Sequence, residues 1–429
     1  MVHAAGGTTA EAVSARDGHR VWWLGFWPTG TSVHWWLTFR TIDPVGSRGP
    51  IAEPIKGVID GAALAQPLAV LARALVGSAD DDPPGSTDDR VARSWSAALA
   101  SPRDEARLAV SLGRLLLPEA LRSILAADVG RAGAPRHTVV IAAGPSLAQV
   151  PFELLAVDDA ASVRLIEVAR VRGGLHAAAT IGARDPAPPA AGGILRVIDP
   201  GPSSAAYARR GGVYGGEWPT PIYPARHGGV DERWFERVGG GSDRLLNPVE
   251  DARPVTREVL SEALRARPGR LLYLGHAVSG DVDAPARAGL VLADPADGGP
   301  FRPFTAAEWI ADPALWPAPP LVAVMSCQSN DTHLLEQMGL VQAAVHAGGA
   351  LITSTRWVLP ADRHPDTATT DLALAVDRAH DESDPICALR RWQLGRLSAW
   401  RRDPGPETAP LIWAAPVSYQ SRPLTMAPP

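Results

Sequence analysis

Two hydrophobic periods alternate along this chain, and their order predicts its architecture. Val21–Trp27 and Val33–Arg40 follow a strand-like pattern on either side of Pro28-Thr29-Gly30-Thr31, which predicts a β-hairpin. Leu64, Leu68, Leu71 and Leu75 recur at helical spacing. Residues 95–128 predict two further helices, with Leu108, Leu112, Leu115 and Leu116 on one face and Pro118 opening the second. From Thr138 the pattern becomes α/β. Strands are predicted over Val139–Ala142, Val163–Val171, Ile194–Asp199, Leu271–His276, Gly289–Leu292, Leu321–Cys327, Ala350–Thr355 and Leu411–Val417. Helices are predicted between them over 255–267, 334–346, 367–380 and 385–399, and Thr305-Ala306-Ala307-Glu308 reads as a capping box opening another. Strand–helix alternation of this kind makes a mostly parallel sheet flanked by helices the natural solution.

Two of these strands organise the rest. Leu271–His276 and Leu321–Cys327 are short apolar runs bounded by turn formers, as expected of central strands covered on both faces. One ends in a histidine and the other in a cysteine. The carboxyl ends of strands in an open α/β sheet form the ligand crevice. An imidazole and a thiol that meet there make an activated nucleophile. Each residue also has a plainer reading: a free cysteine often fills core space, and a histidine at a strand end can be a satisfied structural group.

The predicted division is a disordered tail over 1–19, a hairpin-plus-helices region over 20–135, and an α/β domain over 136–425. Residues 201–254 are rich in glycine and aromatics with no clear element, and read as an insertion near the crevice. Trp22, Trp23, Trp27, Trp35 and Trp36 crowd the hairpin; core packing is the favoured reading, with a protein-binding face as the other.

Composition narrows the function. With 46% hydrophobic and 20% charged residues the chain of 429 is an ordinary globular protein. A net charge of -5 argues against nucleic acid as a direct partner. Only Cys327 and Cys387 are present, too few for a disulfide framework, and no metal-binding spacing occurs, so no cofactor is expected. No signal peptide or membrane-spanning run is visible, which makes a cytoplasmic protein the expectation. The serine-hydrolase elbow and the phosphate-binding loop are absent too.

The order of motifs resembles the CHAT proteases, a caspase-like cysteine peptidase family. The residues that carry the resemblance are Gly275-His276, Leu290-Val291-Leu292, Phe304-Thr305, Met325-Ser326-Cys327, Ala347-Gly348, Trp357 with Asp362, and Pro410-Leu411-Ile412-Trp413-Ala414. Upstream, Val150-Pro151-Phe152-Glu153-Leu154-Leu155 matches a further family element. Three positions depart from the family pattern. Ala277 replaces a glycine, Ser326 replaces an alanine, and Gln328-Ser329-Asn330 follows the cysteine where Glu-Thr-Gly is usual.

The resemblance implies a caspase-like fold and a His276–Cys327 dyad that cleaves a protein substrate. It implies backbone N–H groups of Ala277 and Cys327 as oxyanion donors, and work in bacterial defence or regulated death. This chain has no TPR array, so an activating partner protein is expected. Asp281, Asp283 and Asp331 follow the dyad strands and are candidates for a pocket that selects a basic residue; solvated loop acids are the alternative. The competing function is a catalytically inactive scaffold of the same fold that binds protein partners, for which Ala277 and Ser326 speak.

Overall fold

The computed structural model describes residues 19–43, 47–75, 93–94, 97–130, 136–160, 162–175, 183, 185, 193–200, 233–234, 237, 243–246, 254–278, 284–294, 302–326, 338–357, 359–360, 362 and 367–422. The expected tail and most of the 201–254 stretch lie outside these residues. Contacts divide the chain into two units, 1–71 with 101–174 and 72–100 with 175–429.

The first unit holds β1 (His19–Thr29), β2 (Ser32–Ile42), β3 (Arg48–Ile51), β4 (Ile55–Asp60), β5 (His137–Ala142) and β6 (Ala169–Gly173). Their order is β3-β2-β1-β5-β6, with β4 also paired to β2. The predicted hairpin forms, with every residue of β1 in register with β2. Gly30, at φ 56°, supplies the left-handed residue of its tight turn. β1 also runs parallel to β5, and β5 parallel to β6.

Adjacent strand residues point to opposite faces, so the tryptophan cluster splits. Trp22 is 3% exposed while Trp27 is 45% exposed; Trp23, Trp35 and Trp36 are half-buried. Of the five, only Trp22 is fully core. Trp36 and Trp35 each lie across a glycine of a neighbouring strand. A Cβ on Gly25 would come 2.3 Å from the Trp36 indole, and one on Gly57 would come 2.3 Å from that of Trp35.

Helices α1 (Gly61–Ala74), α2 (Pro102–Leu116) and α3 (Glu119–Ala127) follow the predicted apolar spacing. Leu108, Leu112 and Leu116 of α2 are buried. In the first turn of α2, Glu105 receives both arms of Arg164, at 3.1 and 3.0 Å, with both side chains 3% exposed. The predicted strand over Val163–Val171 is instead a helical turn, Leu165–Val168, followed by β6. Glu167 causes the difference: its carboxylate accepts the Arg164 N–H at 2.6 Å and closes the turn before the strand begins.

His137 links three elements of this unit. The Trp22 indole N–H donates to its Nδ1 at 3.2 Å, and its Nε2 lies 2.8 Å from Asp128. With Nδ1 as acceptor, Nε2 carries the proton and donates to the carboxylate. Burial pushes the His137 pKa below its ordinary value, although Asp128 works against that shift. A buried histidine held neutral contributes stability above its unfolded pKa, and that contribution is lost as pH falls below about 6.5. The urea midpoint of this unit should therefore drop between about pH 7.5 and 5.5. A His137→Gln variant, already weaker at the higher pH, should show a smaller drop; an equal drop in both would remove His137 as the cause.

The second unit holds β7 (Ile194–Ile198), β8 (Arg244–Leu246), β9 (Arg270–Gly275), β13 (Leu321–Ser326), β14 (Leu351–Thr355) and β15 (Pro416–Gln420). Their order is β15-β14-β13-β9-β7-β8, parallel throughout except for β15. Every residue of β9 and of β13 is buried, as their apolar runs predict. A separate antiparallel sheet contains β10 (Ala277–Val278), β11 (Gly289–Leu290) and β12 (Phe304–Thr305).

Helices α4 (Arg257–Arg265), α5 (Ala306–Ala311), α6 (Met338–His346), α7 (Ala368–Ala379) and α8 (Pro385–Arg402) complete this unit's main elements. The predicted capping box opens α5: Thr305 Oγ1 accepts the Glu308 N–H at 3.2 Å, and Glu308 accepts the Thr305 N–H at 2.9 Å. The predicted last strand, Leu411–Val417, starts late. Pro410–Trp413 is a helical turn, pinned by Gln393 donating to Trp413 O at 2.9 Å, and β15 follows it.

The described part of 201–254 is not featureless. It contains β8, the fully buried Trp234, and two arginines that reach α7. Arg233 pairs with Asp371, and Arg237 pairs with Asp377. Arg196 of β7 also meets Asp377, at 3.1 Å, with both side chains 1% exposed. Arg270 donates to the Asp377 carbonyl at 3.0 Å and pairs with Asp381.

Candidate active site

The candidate site lies in the second unit, at the carboxyl ends of β9 and β13. Parallel pairing sets Leu321 beside Arg270 and keeps that register to Ser326 beside Gly275. Neighbouring strands lie about 4.8 Å apart. The two strands therefore end side by side, one residue short of His276 on one and of Cys327 on the other. Cys327 itself lies outside the described residues, as do Asp281, Asp283 and Asp331.

His276 is 4% exposed and sits at the crossing from β9 into β10. Its backbone is held independently of its ring. The carbonyl accepts the Tyr273 hydroxyl at 2.6 Å and the Val291 N–H at 2.9 Å. The same hydroxyl is 3.0 Å from the Val291 carbonyl. The Tyr273 ring reaches this point only because residue 275 is glycine: a Cβ there would stand 2.6 Å from the hydroxyl. Sequence reasoning missed both roles. Tyr273 reads as one more apolar strand residue, and Gly275 as a motif letter.

Ala277 is buried and opens the edge strand of the three-stranded sheet, opposite Leu290. The Val291 N–H to His276 O bond makes Ala277–Leu290 a non-hydrogen-bonded pair of that antiparallel ladder. The Ala277 N–H therefore faces away from β11.

On the other strand, Ser326 is 2% exposed. Its hydroxyl lies 3.2 Å from Thr355 Oγ1, at the end of β14, and its carbonyl accepts the Leu359 N–H at 3.4 Å. The serine found where the family pattern has alanine thus makes a buried cross-strand bond next to position 327. Asp362 caps α7, accepting the N–H groups of Thr369 and Thr370 at 2.8 and 2.9 Å. Cys387 is half-buried in the first turn of α8, where its N–H is capped by Asp384 at 3.0 Å. His346 ends α6, half-buried; His333 and His364 lie outside the described residues. Among the described residues no group of three or more His, Cys, Asp or Glu is placed to hold a metal. None of their helices is long and apolar enough to cross a membrane.

Removing the phenol hydroxyl tests the anchor on His276. Tyr273→Phe keeps the ring but removes the hydroxyl donor to the His276 carbonyl. A loss of about 1–2 kcal/mol in unfolding free energy is expected. Unchanged stability by urea titration would mean that the hydroxyl bonds contribute nothing.

A mostly parallel, helix-flanked sheet with candidate chemistry at the carboxyl ends of neighbouring strands is of the α/β class, and its likeness to known proteins makes it caspase-like. The chain resembles a structure of that kind, the Saccharomyces cerevisiae separase–securin complex, with a TM-score of 0.50 at 9% identity. The match covers 94% of this chain and 30% of that one, so the chain spans less than a third of that neighbour's length. The CHAT domain model matches residues 107–421, and the chain belongs to the CHAT family. No curated protein matches it.

Proposed function

We propose that this protein is a cysteine endopeptidase whose dyad is His276 and Cys327. The observation that carries the reading is the β9–β13 register, which ends with Gly275 beside Ser326. In the proposed reaction the Cys327 thiol gives its proton to the His276 imidazole, and the thiolate attacks the scissile carbonyl carbon. The N–H groups of Ala277 and Cys327 hold the resulting oxyanion; in other enzymes one such donor is worth about 2.7–4 kcal/mol. His276 then protonates the departing amine, and water hydrolyses the thioester. The outward-facing Ala277 N–H supports this assignment, as does membership of a family with the caspase-like fold.

The finer proposals are a cytoplasmic enzyme activated by a protein partner in bacterial defence or regulated death. In them Asp281, Asp283 or Asp331 selects a basic residue before the cut. A peptidyl acyloxymethyl ketone, which traps an active thiolate, tests the core of the reading. Covalent labelling of the full chain is expected, and Cys327→Ala should abolish it. Labelling that persists in Cys327→Ala would move the nucleophile elsewhere. No labelling of the native chain, alone or with cell extract as a source of activator, would favour the scaffold.

A further inference from the structure

We infer that the open face of the β1–β2–β4 sheet is a docking surface for an acidic, apolar-anchored segment of a partner protein. These strands lie upstream of the residues matched to the family, 107–421, so the surface is an addition to the shared domain.

Register and alternation assign the face. Trp27, His34 and Val58 form one cross-strand row, and Gly25, Trp36 and Lys56 the next. Beyond them Trp23 stands beside Thr38, and Arg40 lies between Val21 and Ile51. The opposite face, with Trp22, Leu24, Phe26 and Leu37, is the buried one. An antiparallel sheet that leaves one face to water normally makes that face polar. Here it carries Trp27 at 45%, Val58 at 53% and Ile51 at 58% exposure. Trp36 lies flat over Gly25, between Trp23 and Trp27 along the strand, and Trp27 stacks on His34 at 5.8 Å. The rows join into one aromatic and aliphatic floor, of the composition that marks binding hot spots.

Charge selects the partner. Arg40 and Lys56 rise from the same face, and Arg48 stands across from Ile42 where β3 meets β2. Among the described residues none of the three has an ion-pair partner, and the Nε of Arg40 is buried without an acceptor there. Among the described strand residues the acid on this face is Asp60, which accepts the Ala62 N–H at 3.0 Å. Arg40 is half-buried, and a partly desolvated cation without a counter-charge is costly; a partner's carboxylate would satisfy it, with the exposed Lys56 and Arg48 adding attraction at the rim. Nucleic acid would also offer anions and stacking surfaces. The chain's net charge of -5 and the aliphatic Ile51 and Val58 favour an acidic peptide over a polyanion.

The test uses dye-labelled peptides of about 12 residues, with alternating Leu and Phe anchors flanked by Glu, against the full chain. Fluorescence anisotropy should report binding of the Glu peptide and not of its Lys-flanked counterpart. W27S/V58S, changes at exposed positions, should weaken binding by about tenfold or more. Arg40→Glu with Lys56→Glu should transfer preference to the Lys peptide, a gain that misfolding cannot mimic. Equal binding of both peptides, or of neither, would overturn the inference. So would binding of oligothymidylate in their place, or a concentration-dependent dimer that W27S/V58S dissolves.

Discussion

Replacing His276 by glutamine is expected to slow ketone capture at Cys327 by roughly 10²–10⁴-fold, the range set by loss of a positioned base. The variant separates chemistry from fold. Tyr273 and Val291 bond to the backbone carbonyl of residue 276, so their bonds survive the change of side chain. The pH profile should change with the rate. With His276 as the proposed partner of the thiol, labelling of the native chain should stay high near neutrality. In His276→Gln, labelling should climb with pH toward the ordinary thiol value of about 8.5. A rate and profile equal to the native chain's would remove His276 from the mechanism while leaving Cys327 in it.

The largest effect on stability is expected at Asp377. This carboxylate accepts from Arg196 and Arg237, and Arg270 lies beside it on the Asp377 carbonyl. Burial alone would raise its pKa. The charges of Arg196, Arg237 and Arg270 outweigh burial and hold it below the ordinary carboxylate value. Asp377→Ala takes from the buried Arg196 its acceptor for Nε and Nη2, leaving it Asp243 alone, and takes one of two carboxylates from Arg237; it should cost about 3–5 kcal/mol. A carboxyl with a depressed pKa contributes stability above its unfolded pKa and loses it as pH falls. The difference between native chain and variant should therefore shrink below about pH 4. Asp371→Ala, at the more exposed Arg233 pair, should cost less than about 1 kcal/mol. Urea titrations of both variants give the comparison, and similar losses in the two would sink the special role of Asp377.

What could be read from the sequence, and what could not, follows from the range of the interactions. The apolar runs of β9 and β13, the Thr305–Glu308 capping box and the helices over 102–127 are local patterns, and all are present in the structure. β9 and β13 could be proposed as neighbours because their apolar runs lead in the sequence into a histidine and a cysteine. Their pairing in register is a structural fact. Other features have no local trace. Arg196 sits in an apolar strand, and one of its carboxylate partners, Asp377, is 181 positions away. Tyr273 looks like strand filler until its hydroxyl is seen against two carbonyls. The turns at Leu165–Val168 and Pro410–Trp413 were hidden inside β-like runs because side-chain bonds from Glu167 and Gln393 hold them.

The pairing of Trp36 with Gly25 and of Trp35 with Gly57 has a consequence for how this hairpin can drift over generations. Each indole occupies the volume that a side chain on its glycine would need. A bulkier residue at 25 is therefore tolerable only alongside a smaller one at 36, and the same holds for 57 and 35. Related chains that keep the hairpin should carry these positions as two linked couples, changing together or not at all.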